Sequence, residues 1–292
     1  MALHAFSRRG LIVSGLALGA GALTGCQQGE EAATGTVPAS AMTLQQAVEG
    51  DWRSEEDKAR DIWRHPVETL TFFGLKPGMT VVELWPGAGW YTDILAPFLA
   101  SSNGKLYAAN LEPNDPVAVE VVEAYRSRLR AKPRLYGDVE ITAFGPTSGP
   151  IAPAGTADLV FTARNVHNWM AAGIVDKAFA DAFAALKPGG VFGVVEHRAN
   201  PGSVQDPAAA DGYVEQAYVI RLAREAGFLM DEASEINANP RDTKDHPFGV
   251  WTLPPVRRTS PRGEPEDPSF DRTPYDAIGE SDRMTLRFVK PT

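Results

Sequence analysis

Val81-Val82-Glu83-Leu84-Trp85-Pro86-Gly87-Ala88-Gly89-Trp90 reads as a short strand that ends on an acidic residue and turns, through glycines, into a helix. Glycines let the backbone pass close to a ligand, and the start of a helix offers free N–H groups. In open α/β sheets such a turn lies at the carboxyl edge, where ligands bind. Glu83 is placed to accept a hydrogen bond or to pair with a ligand ammonium. A tight strand-to-helix connection also uses glycine for geometry alone, so the reading depends on the sequence to either side.

Downstream, strand-like runs alternate with longer amphipathic ones. Thr80 to Leu84, Leu106 to Asn110, Val139 to Phe144, Leu159 to Thr162 and Val191 to Glu196 are the strands, and their spacing argues for parallel βαβ units. One helix carries Ile174, Val175, Ala178, Phe179, Ala182, Phe183 and Leu186 on a single face and is ended by Pro188-Gly189-Gly190, so it covers a sheet. Another runs from about Gly212 to Ala226, and Met284 to Val289 alternates as a final strand. Upstream, Ser54-Glu55-Glu56-Asp57 caps a helix ending near His65, and Pro66 begins another that Gly74 stops. Residues 240 to 282 are rich in Pro, Asp and Arg without a sustained period; an insertion that long is usually functional or disordered.

The chain has 292 residues, 43% of them hydrophobic and 22% charged, enough apolar surface for a core without disulfide staples. A single cysteine excludes a disulfide framework and a cysteine-based zinc site. With 28 basic against 37 acidic residues the net charge is −9, which gives no grip on a phosphate backbone. Nucleic acid is therefore not expected as a partner.

Arg8-Arg9, the apolar run from Leu11 to Ala22 and Leu23-Thr24-Gly25-Cys26 follow the order of an export signal with a lipobox. The only cysteine stands where a lipoprotein needs one. Residues 1–25 are thus expected to be a removed signal peptide, Cys26 the lipidation site and 26–50 a flexible tether rich in Gly, Ala, Thr, Ser and Glu. The domain proper is 51–292. Loss of Arg8 and Arg9 leaves 26 basic residues against 37 acidic ones, a charge of −11. Ser7-Arg8-Arg9-Gly10 resembles a twin-arginine signal, the route for proteins folded before export, although paired arginines occur in ordinary signals too. Gln27 after the cysteine, by Gram-negative sorting rules, points to the outer membrane facing the periplasm.

Glu83, Gly87 and Gly89 on the first turn, Ala157-Asp158-Leu159-Val160, Leu186-Lys187-Pro188-Gly189-Gly190 and Glu225-Ala226-Gly227-Phe228 occur in the order found in class I S-adenosylmethionine-dependent methyltransferases, which the chain resembles from about residue 60 to 290. More narrowly, Arg164-Asn165-Val166-His167-Asn168-Trp169, residues 237–247 and Ile278-Gly279-Glu280-Ser281-Asp282-Arg283 resemble a bacterial subfamily of exported methyltransferases. The resemblance implies a Rossmann-like, doubly wound, mostly parallel seven-stranded sheet with helices on both faces and a long insertion before the last strand. It implies S-adenosylmethionine as cofactor, held by Glu83, Trp85, Gly87, Gly89, Asn110, Glu112 and Arg164. Two positions depart from the pattern: Trp85 replaces the first glycine, and Asn110 replaces the acidic group that meets the ribose, with Glu112 nearby.

Arg164, Asn165, His167 and Asn168 follow the fourth strand, and Glu196-His197-Arg198 ends the fifth, so both groups meet at one rim. His167 or His197 is the candidate general base, with Asn165, Glu196 and Asp245 as further catalytic candidates. The alternatives are helix capping by the first group and a plain ion pair for the second. His167, His197, His246 and Glu196 are metal-binding residue types, but no short metal motif spaces them, and no metal is expected. The expected function is methyl transfer to a small molecule or an envelope component. The competing expectation is a non-catalytic envelope lipoprotein that uses the fold as a binding module. A hydrolase would need a nucleophile elbow, which the sequence lacks. The segment from Asn237 to Trp251 is expected to fold over the rim as a lid.

Overall fold

The computed structural model describes residues 41–292; the export signal, the lipobox and Cys26 lie outside the described residues. Seven strands form one sheet: β1 (Thr80–Leu84), β2 (Lys105–Leu111), β3 (Val139–Phe144), β4 (Ala157–Ala163), β5 (Leu186–His197), β6 (Leu229–Ser234) and β7 (Arg283–Val289). Their order is β3-β2-β1-β4-β5-β7-β6. The first five are parallel, and β7 runs antiparallel between β5 and β6. This is the doubly wound, mostly parallel sheet that the alternating pattern and the resemblance predict.

The helices are α1 (Leu44–Glu49), α2 (Glu55–Lys58), α3 (Asp61–Arg64), α4 (Pro66–Phe72), α5 (Thr92–Ala100), α6 (Pro116–Ala131), α7 (Pro133–Tyr136), α8 (Val166–Ala171), α9 (Val175–Ala185), α10 (Gln216–Glu225) and α11 (Thr273–Ile278). Because successive strand residues point to opposite faces, each strand feeds two cores. Val82, Val160, Val194 and Phe192 pack with Trp169, Phe179 and Val219 of α8, α9 and α10. Val81, Leu159, Phe161 and Val195 pack with Leu70, Ile94 and Phe98 of α4 and α5. Each large apolar side chain buried this way contributes about 1.5–3 kcal/mol. No described helix is long and apolar enough to cross a membrane.

Several boundaries differ from the sequence reading. The tether does not extend to residue 50: Thr43 and Gln46 make a capping box for α1, and Ala47 and Val48 are buried in the core beside α5. The helix expected from Ser54 to His65 is two short ones, α2 and α3, separated at Ala59 and Arg60. Leu186 to Gly190 does not form a separate turn, since β5 starts directly at Leu186, which pairs with Ala157. The helix α10 begins at Gln216 and not at Gly212, because the Glu215 carboxylate accepts from the Tyr218 N–H and fixes its start. The insertion between β6 and β7 holds one 3-10 turn (Gly249–Thr252) and α11, and is otherwise irregular.

Candidate active site

A cavity of about 640 Å³ opens at the carboxyl ends of β1, β4 and β5. The turn after β1 forms one wall, the residues after β4 and His197 another, and α2 and α3 a third; Val250, Trp251 and Pro254–Val256 of the insertion cross its mouth. Its size is ordinary for a small-molecule site.

On the first wall, Trp85 has φ +49° and Gly87 φ +59°. A left-handed backbone suits glycine and strains other residues. Trp85 holds this conformation by donating its indole N–H to the Phe144 carbonyl at 2.9 Å and packing edge-on against Phe144 and Trp169. The side chain therefore reaches across to the end of β3. At Gly87 a Cβ would meet no atom within 4 Å, which leaves a cradle open to the cavity, whereas at Gly89 it would strike the Arg128 guanidinium and Tyr125. Gly89 thus lets α6 approach and does not line the cavity.

On the second wall, Glu196 is fully buried and accepts three N–H bonds: from the Val166 backbone at 2.6 Å, the His197 backbone at 2.7 Å and His167 Nδ1 at 2.9 Å. A carboxylate only accepts, so His167 carries a proton on Nδ1 and turns Nε2 away from Glu196. His197 lies beside it, ring centroids 5.2 Å apart, with its Nδ1 2.5 Å from Ser281 Oγ. Burial, helped by His167, Arg164 and Arg283, holds the His197 pKa well below the usual imidazole value, so this ring is neutral. Donor atoms of His167, Glu196 and His197 lie within 4.8 Å of one another. Glu196 is already engaged by three donors, so it orients an imidazole here.

Asn165 donates its amide to the Leu84 and Trp85 carbonyls at 3.0 and 3.1 Å and to Thr162 Oγ1 at 3.2 Å. It ties the two walls together and acts by positioning. Trp85, Gly87, Arg164, Asn165, His167 and His197 line the cavity as the sequence reading placed them. Other expected site residues do not. The Glu83 carboxyl is buried beneath the turn, accepts from Thr92 Oγ1 at 2.6 Å and is raised to about 7 by desolvation. Asn110 turns its oxygen back to the Leu111 N–H and leaves Nδ2 buried without a partner. Glu112 is taken up by the Thr147 hydroxyl and N–H. Asp245 is exposed and bonds Thr243, and the buried carboxylate of that segment is Asp242, held by His246 Nε2 at 2.8 Å and by the Tyr213 hydroxyl. His246 is engaged by Asp242 and does not line the cavity. Trp251 of the insertion packs at the rim, 6.0 Å from the His167 ring.

The sequence reading did not single out Arg60, Arg64 and Glu280, which form the third wall. Glu280 accepts from Arg60 Nε at 2.9 Å, Arg64 Nε at 3.0 Å and Arg283 Nη1 at 3.0 Å. Ile278 to Arg283 did stand out as a motif, but nothing local in it tells which distant arginines it will meet.

No protein-family model matches the sequence, and no curated protein matches it. Solved structures of similar fold include a SAM-dependent methyltransferase from Aquifex aeolicus, 20% identical over 67% of this chain and 94% of that one, TM-score 0.49. The 4+2 cyclase SpnF is 16% identical over 85% and 92%, TM-score 0.53. A protein assigned as a sarcosine dimethylglycine methyltransferase from Galdieria sulphuraria is 13% identical over 80% and 85%, TM-score 0.53. The fold is that of the class I methyltransferases. Asp93 and Arg128 also line the cavity, paired with each other at 2.6 Å, and Arg128 keeps Nε and Nη2 without partners. Asn110 and Glu112 do not take part in lining it.

Proposed function

We propose that the cavity catalyses S-adenosylmethionine-dependent methyl transfer to a small-molecule or envelope acceptor. The observation that carries this reading is the convergence, at the ligand-binding edge of a class I methyltransferase sheet, of the Gly87 cradle and a carboxylate-oriented imidazole in one cavity. The cofactor supplies a methyl group already activated on a sulfonium. Gly87 lets the backbone approach it. His167 Nε2 accepts the proton that the acceptor's nucleophile gives up, while the Nδ1–H bond to Glu196 stabilises the resulting imidazolium. Neutral His197 and Trp251 confine the acceptor, so the walls act chiefly by alignment.

Calorimetric titration with S-adenosylmethionine and S-adenosylhomocysteine tests the reading. Gly87→Ala places a methyl in the cradle without touching protein atoms and should weaken binding at least about tenfold, at a conformational cost of about 1 kcal/mol. Absence of heat from the wild type at millimolar ligand would refute it. That result would favour the second reading, a non-catalytic binding module, which Trp85 supports by bridging to Phe144 where the family has glycine. In either case the proposed setting is the cell envelope, with the chain anchored in the outer membrane by a lipid on Cys26 and facing the periplasm.

A further inference from the structure

Three guanidinium groups meet at Glu280 behind the third wall of the cavity, and a fourth stands on the second wall. Arg60, Arg64 and Arg283 share the Glu280 carboxylate, and Arg164 projects from the turn after β4, where its backbone takes φ +62°. The Arg164 pKa is drawn down by burial and by Arg283 and Arg60, with Glu280 acting against them. Besides Glu280, the described carboxylate nearest this group is Asp57, 3.9 Å from Arg60. Four cations therefore face two anions.

Two of these cations lack acceptors. Arg64 is 1% exposed, yet only its Nε is bonded, and Nη1 and Nη2 have no partner. Its guanidinium lies over the Trp90 ring, 4.7 Å from the centroid, which offsets part of the charge but accepts no hydrogen bond in the guanidinium plane. Among the described residues, Arg164 has no side-chain hydrogen bond and no carboxylate at ion-pair distance. Both residues line the cavity, as do His167 and His197. The buried Arg64 N–H groups without acceptors cost several kcal/mol unless something supplies the missing oxygens, and the part-exposed Arg164 leaves its own free at the cavity. A planar or tetrahedral oxyanion supplies them in a fork geometry that guanidinium groups match.

We infer that the acceptor carries an oxyanion of the carboxylate or phosphate class, bound between Arg64 and Arg164 next to the two imidazoles. This rests on the methyl-transfer reading only in calling the ligand an acceptor; the subsite itself stands on the unpaired guanidinium groups. A neutral imidazole at His197 fits such a ligand, because the positive charge it needs is already supplied by arginine.

The test is a titration of the full-length protein with inorganic phosphate at constant ionic strength, read by tryptophan fluorescence because Arg64 lies on Trp90. Wild type should saturate with phosphate and not with chloride. Arg164→Gln should weaken phosphate at least about tenfold, since it removes two charge-assisted hydrogen bonds. Arg164 touches no structural carboxylate, so this variant folds even where Arg64→Gln disturbs the Glu280 cluster. Equal phosphate binding by wild type and Arg164→Gln overturns the inference, and so does a chloride response of the same size. Displacement of S-adenosylhomocysteine by phosphate, with both lost in Arg164→Gln, assigns the arginines to the cofactor's own carboxylate and overturns the acceptor subsite. Phosphate binding that persists in a protein unable to bind S-adenosylhomocysteine upholds the subsite and defeats the methyl-transfer reading.

Discussion

Trp85 and Glu83 show how a glycine-turn motif changes when one position is altered. With φ +49°, Trp85 takes a left-handed backbone shape that glycine adopts more easily and adds an indole that joins the ends of β1 and β3. Beneath it, Glu83 ends β1 in a pocket where desolvation outweighs the Thr92 bond and raises its carboxyl from 4.5 to about 7. The folded state therefore holds a proton that the unfolded chain releases between about pH 4.5 and 7. This contribution to stability is complete below pH 4.5 and is lost as pH rises through 7; the gap corresponds to roughly 3 kcal/mol. Glu83→Gln keeps an acceptor for Thr92 and cannot ionise, so it should melt above wild type at pH 8.5 and match it at pH 4.5. An equal difference at both pH values would contradict the assignment. The turn was legible because its glycines are local. The burial of Glu83 was not, because it depends on Thr92, Tyr125 and Arg128 closing over it from α5 and α6.

At the scale of elements, the sequence marks strands rich in apolar and β-branched residues, whether central like β1 or at the sheet edge like β3. Thr80 to Leu84 and Val139 to Phe144 are read to the residue, and β2 and β4 extend only slightly beyond the expected runs. The edge strand β6 is harder to see, since Leu229 is 59% exposed and the strand lacks an apolar face. The helix α1 was hidden for a different reason: six residues are too few for a helical period to show. Its Val48 is nonetheless buried against α5. Val48→Asp should lower unfolding free energy by about 2–4 kcal/mol in urea denaturation. A true tether would leave it unchanged. The third wall of the cavity escaped the sequence reading because charged residues in short helices look like a solvated face, and only the assembled fold shows Arg60 and Arg64 turned inward.

For the whole molecule, the proposed lipid on Cys26 predicts membrane association although no described helix is long and apolar enough to cross a membrane. Cys26→Ser should move the protein from the membrane fraction to the soluble envelope fraction and leave the signal unprocessed. Intact mass of the mature wild type with an unmodified Met1 would refute anchoring.

The Arg64–Glu280 contact joins residues 216 positions apart, and β7 must insert between β5 and β6 to deliver it. Such distant pairing has high contact order, and loop-closure entropy delays it until the more local βαβ units have formed. The cavity is thus a late product of the folding pathway, missing from partly folded species and complete only past the last barrier. A ligand that clasps the arginines acts on escape from the native state and slows unfolding, with little effect on how fast the chain first folds.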